Sequence, residues 1–168
     1  MTNNELIPLE AIQNKIYMIR GQKVMLDRDL AELYGIPTGT LNQAVSRNQE
    51  RFPNDFMFSL SKQEIQRISQ IVISSPLKYH KNINVFTENG VAMLSSVLRS
   101  KQAVQVNIQI MRIFTKLRNI LAQHKELIAK INELEQKTGK NSSDIQLIFE
   151  AIHQMLTQPE KPTRIGFI

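Results

Sequence analysis

The chain contains no cysteine and no tryptophan. Without thiols it can hold no disulfide, no thiolate metal site and no cysteine nucleophile. No run of about 18 apolar residues occurs, so no helix is expected to cross a membrane. The opening MTNNELIPLE carries acids and lacks a basic, apolar leader, so a cytoplasmic protein is expected. Glycine-rich phosphate loops of the P-loop or dinucleotide type are missing too. The three histidines, His80, His124 and His153, stand far apart with no second ligand at metal spacing. Asp27 and Asp29 are two carboxylates close together, but a helix start explains them by capping and by the helix dipole. No catalytic residue, metal ligand or cofactor is therefore assigned, and an enzyme, a nuclease included, is not expected.

Positive charge is scarce where a nucleic-acid reader would first be sought. Residues 1–60 carry six basic and seven acidic side chains, although the whole chain has a net charge of +6. The excess lies later, with five basic against two acidic over 61–100 and eight against three over 101–140. A polyanion held by this chain would draw much of its attraction from those later segments.

The stretch LDRDLAELYGIPTGTLNQAVSRN, residues 26–48, nonetheless has helix-turn-helix spacing. Ala31, Gly35 and Leu41 stand at i, i+4 and i+10, where a small residue, a turn glycine and an apolar anchor allow two short helices to cross. Asp27 is expected to cap the first helix. Leu30, Leu33 and Tyr34 give it an apolar face. Pro37 stops that helix and Thr38 is expected to cap the next, over about 38–51. On that second helix Leu41, Ala44, Val45 and Asn48 gather on one side. Gln43, Ser46, Arg47 and Glu50 gather on the other, with Thr40 and Asn42 on the flanks. The outward set is polar and suited to base edges, since Gln and Asn pair with adenine and Arg with guanine. An amphipathic helix with a solvated outer face has the same pattern.

Around this segment the sequence predicts an α+β chain. Ile16–Leu26 reads as a small β-hairpin about Gly21-Gln22, suited to a type II′ turn, with Arg20 and Lys23 beside it. Arg51-Phe52-Pro53-Asn54-Asp55 is a helix stop and turn. Phe56, Phe58 and Leu60 then alternate as a half-buried strand. Ser61 and Glu64 form a capping box for a helix to about Ile73. Ser74–Lys81 is a polar loop with Lys78, His80 and Lys81. Asn84–Phe86 is a short strand, and Thr87 caps a helix to about Leu98. From Ser100 to Lys137 one long helical pattern carries two adjacent apolar seams through Ile110, Phe114, Leu117, Leu121, Leu127 and Leu134. That face is wider than a two-stranded coil needs. Gly139 ends it. Ser143 and Gln146 form a second capping box before an amphipathic helix with Ile145, Ile148, Phe149, Ile152 and Leu156. The tail from Gln158 has two prolines. Three segments result: 12–99, a helical extension over 100–157, and a tail over 158–168.

Four stretches, MLDRDLAELYG, LNQAVSRN, RFPNDFMF and FTENGVAMLSSVLRS, resemble the phage-associated KilA-N-type DNA-binding domain of the Orf-six-N kind. The resemblance spans roughly Ile12 to Arg118. It implies a small α+β domain of phages and prophages that binds double-stranded DNA without catalysis. Under it Thr40, Asn42, Gln43, Ser46 and Arg47 would read bases in the major groove. Arg28, Arg51, Lys62, Lys78 and Lys81 would meet phosphates. A homodimer through the helix 100–137 would set half-site spacing. The alternative is an antirepressor-like module whose partner is a phage or host regulator.

Overall fold

The predicted hairpin forms, but its turn lies one residue earlier than the sequence suggests. In the computed structural model, strands β1 (Ile16–Ile19) and β2 (Gln22–Leu26) pair with Ile19 opposite Gln22, so the loop is Arg20-Gly21. Both loop residues have positive φ, 52° and 70°, which makes the turn type I′ rather than type II′. A left-handed arginine costs roughly 1 kcal/mol. Two contacts offset it. The guanidinium donates to both carboxylate oxygens of Glu64, at 2.7 and 3.0 Å, and lies 4.4 Å over the Phe58 ring. Arg20 is thereby a structural residue.

The structure describes residues 7–71, 82–138 and 143–157. They divide into two compact units, one ending at Phe114 and the other beginning at Thr115. Lys78, His80 and Lys81 lie outside the described residues, as does the predicted tail.

In the first unit a short helix α1 (Leu9–Gln13) precedes the hairpin. After β2 come α2 (Asp27–Tyr34), α3 (Thr38–Arg47) and a single 3₁₀ turn, Gln49–Arg51. Then follow β3 (Met57–Ser59), α4 (Lys62–Ile71), β4 (Asn84–Thr87) and α5 (Glu88–Leu98). The long helix α6 (Lys101–Thr138) starts in this unit and ends in the next, which also holds α7 (Ser143–Leu156). The architecture is α+β.

Among the described residues the strands make one antiparallel sheet in the order β1-β2-β4-β3. Strand alternation gives it two faces. Tyr17, Ile19, Val24, Leu26 and Val85 point one way and pack with Ile65 and Ile68 of α4. Ile16, Met25 and Phe86 point the other way and are fully buried. On that side Phe86 meets Phe52 edge to face, with ring centroids 5.9 Å apart. The sheet therefore lies between α4 and the layer that contains α3.

Local chemistry explains most boundaries. Ser61 and Glu64 do form the capping box, through Ser61 N–H to Glu64 at 2.7 Å and Glu64 N–H to Ser61 Oγ at 3.3 Å. Thr87 Oγ1 accepts the Gly90 N–H at 3.4 Å, capping α5 as expected. The first turn of α5 then sits directly on the turn before β3. A Cβ on Gly90 would lie 2.0 Å from the Phe56 carbonyl oxygen. Helix α2 ends in a Schellman motif, with Gly35 at φ 69° and Ile36 N–H donating to Ala31 O at 3.0 Å.

Two caps differ from expectation. Leu26 holds the N-cap position of α2, and Asp27 is the first helical residue. Pro37 holds the N-cap position of α3, with no side-chain cap bond from Thr38. There the Pro37 carbonyl accepts from Thr40 and Leu41, so the backbone ladder has begun before Thr38 can act. Helix α3 also stops earlier than predicted. The Asn48 side chain donates to Ala44 O at 2.9 Å, and the chain continues as the 3₁₀ turn.

The long helix divides in character along its length. Ala103, Val106, Ile110, Ile113, Phe114 and Leu117 are buried, whereas Leu121, Leu127 and Leu134 are 43%, 50% and 54% exposed. The first unit thus takes in the start of α6, beyond the predicted boundary at residue 99. Asn107 explains the attachment, accepting from the Tyr34 hydroxyl and donating to Val91 O at 2.8 Å. In the second unit His124 Nε2 lies 3.3 Å from Leu156 O, and His153 Nε2 lies 3.2 Å from Glu135, joining α7 to α6.

Candidate nucleic-acid interface

Helix α3 buries Leu41 and Val45 and leaves Thr40, Gln43, Ser46 and Arg47 exposed. At 100° per residue these four fall within an arc of about 120°. The row from Thr40 to Arg47 is about 10 Å long, the rise of roughly three base pairs. As far as Arg47 the wheel drawn from sequence is the one that forms, whereas Glu50 of its outward set falls in the 3₁₀ turn. Asn42 is the exception among the predicted reading residues. It is half-buried, and its side-chain amide is engaged at both ends.

Those engagements build a polar network beneath α3. Asp27, 3% exposed, accepts from Arg28 N–H at 2.7 Å through Oδ1. Its Oδ2 accepts from Asn42 Nδ2 at 2.9 Å and from Asn84 N–H at 3.3 Å. Asn84 Nδ2 in turn donates to Asn42 Oδ1 at 3.3 Å, and its Oδ1 accepts from Ser59 Oγ at 2.7 Å. One carboxylate thus ties the start of α2, the flank of α3 and strand β4 together. The network fixes how α3 is rolled on the sheet. No spacing rule would have found this role for Asp27 and Asn84, because their partners come from four separate elements.

A second brace comes from the start of α6. Burial pushes the Tyr34 phenol well above its ordinary range, and its bond to Asn107 pulls the other way only in part. The hydroxyl therefore stays protonated and serves as a donor from α2 to α6. Gln102 of α6 also closes over the α2–α3 turn, with its amide 3.2 Å from where a Gly35 Cβ would stand.

The predicted phosphate-contacting residues are scattered. Arg28 is half-buried, with Nε 3.7 Å from Asp29 Oδ1. Arg51 is exposed just past α3, and its Nη1 donates to Ser96 Oγ of α5 at 3.4 Å. Lys62 is exposed and opens α4, in the layer across the sheet from α3. Among the described residues no group of three or more His, Asp or Glu side chains is placed to hold a metal ion. No helix among them is long and apolar enough to cross a membrane.

Comparison with curated proteins and with solved structures returns no match. The family model of the ORF6N domain does match, over residues 14–97, which is half of the chain. Its span runs from just before β1 to near the end of α5 and includes both α2 and α3. The chain therefore belongs to the ORF6N domain family, a phage-associated group of KilA-N type.

Proposed function

We propose that this protein is a double-stranded DNA-binding regulator that enters the major groove with α3. The reading is carried by the exposed row Thr40, Gln43, Ser46 and Arg47, held on a helix whose roll is fixed from below. A rigid, polar, three-base-pair-long face is what direct readout needs, and bidentate Arg–guanine and Gln–adenine pairs discriminate by about 1–3 kcal/mol each. Asn42 positions the helix in this scheme, and Arg51 is the phosphate contact next to the reading face. A second copy of the chain, joined through the part of α6 from Leu121 onward and through α7, would present two such faces. Both helices offer exposed apolar residues for that purpose: Leu121, Leu127, Ile145, Leu147 and Ile148.

Selection of sites from a random duplex pool tests the reading. A recurrent motif is expected, and Arg47→Ala should relax preference at one base step by roughly 1–3 kcal/mol. An unenriched pool would overturn sequence reading. The exposed residues on α7 also favour a second use, capture of a regulator protein. A complex with a repressor and no salt-dependent retardation of DNA would favour that antirepressor role instead.

A further inference from the structure

Between Glu88 and Glu126 the sequence has no acidic residue, while Arg99, Lys101, Arg112, Lys116, Arg118 and Lys125 all fall there. Two of these cations occupy the corner where α5 gives way to α6. Arg99 and Lys101 are both exposed, and neither side chain has a hydrogen-bond or ion-pair partner among the described residues. Arg51 reaches the same helix end. Its guanidinium bonds Ser96, one turn before Arg99 on α5. The only acid on α5, Glu88, stands at the opposite end of that helix, about 16 Å away along its axis.

The backbone at Arg99 adds a second observation. It closes α5 in the left-handed region, at φ 47°, where glycine is the usual residue. Arg20 shares that conformation, but there the guanidinium is held by Glu64 and Phe58. Among the described residues no such contact holds Arg99. An arginine kept at a glycine position, with its charge left to solvent, fits a residue that meets a ligand.

We infer that Arg99 and Lys101, together with Arg51, form a phosphodiester-binding corner beside α3 that grips the DNA backbone without reading sequence. The inference rests on the duplex-binding reading above and deepens it. It supplies phosphate contacts for a helix-turn-helix that has no surplus of positive charge of its own. Each phosphate neutralised releases counterions with a salt slope of about 0.9, worth about fivefold in affinity near 0.15 M salt.

The test compares the full chain with Arg99→Gln, Arg99→Gly and Lys101→Gln on its selected duplex and on a duplex of scrambled sequence. Each variant should lose about fivefold on both duplexes alike, with the salt slope falling by about 0.9. Arg99→Gly should at the same time raise the melting temperature, because it relieves the left-handed strain. A gain in stability with a loss of binding separates this from a folding defect. If wild type binds DNA and all three variants match its affinity and salt slope, the corner is not a contact. A wild type that binds neither duplex overturns the duplex reading and this inference together.

Discussion

Replacing Asp27 with alanine removes one carboxylate and strands several donors at once. The Asn42 amide and the Asn84 N–H both lose their acceptor on Oδ2, and the Arg28 N–H loses Oδ1. Hydrogen bonds to a charged group contribute about 1.5–3 kcal/mol each, so the gross loss is roughly 5–9 kcal/mol. The variant also escapes the cost of burying a carboxylate, which is several kcal/mol. The net destabilisation expected is about 3 kcal/mol, or a melting temperature lower by roughly 15 °C for a unit of this size. Thermal and urea unfolding followed by circular dichroism measure it. A double-mutant cycle with Asn42→Ala isolates the link to α3, where a coupling of about 1–2 kcal/mol is expected. Additivity of the two substitutions to within about 0.3 kcal/mol would refute the claim that Asp27 sets the roll of α3.

Two glycines should rank differently under substitution. Gly90→Ala drives a Cβ to 2.0 Å from a backbone oxygen, which should cost about 3 kcal/mol. Gly35→Ala meets only the movable end of Gln102 and should cost about 1 kcal/mol, mainly for its left-handed φ; unfolding curves that reverse this order contradict the packing described. The Arg20 guanidinium holds the Glu64 carboxyl down to about 2, from an ordinary value of 4.5. Because the folded value is the lower one, this pair stabilises fully above about pH 4.5 and its contribution disappears as pH falls through about 2. The stability difference between wild type and Arg20→Ala should shrink across that window, and a difference that grows with acid would be the wrong sign. Full-length protein carrying Leu127→Glu with Ile148→Glu should sediment as a monomer while the first unit melts unchanged. A wild type that is already monomeric rules out the helical dimer.

Much of the α2–α3 pair was legible because its rules are local. Gly35 must supply a left-handed turn, Pro37 must end a helix, and Leu41 and Val45 must fall on one side at 100° per residue. The capping box at Ser61 and the cap at Thr87 were legible for the same reason, each needing only residues three apart. The hairpin was visible as two apolar runs, but its turn type was not. Register across β1 and β2 decides which two residues close the loop, and the Arg20–Glu64 pair makes an arginine tolerable there. Pattern also failed to separate the two halves of α6, since both carry the same apolar seam. Only the packed structure buries Ile110 and Phe114 while leaving Leu127 and Leu134 exposed.

By itself the sequence determined most of the elements and their order, α1 and the 3₁₀ turn excepted, together with the outward face of α3 and the membership of a family. These follow from periodicity and from residues whose backbone limits act on their immediate neighbours. Tertiary structure alone decided that Asn42 faces Asp27 and Asn84, and that Arg51 meets Ser96 on α5. Those contacts join residues 15 to 45 positions apart, and no rule of local spacing encodes where the chain brings them together.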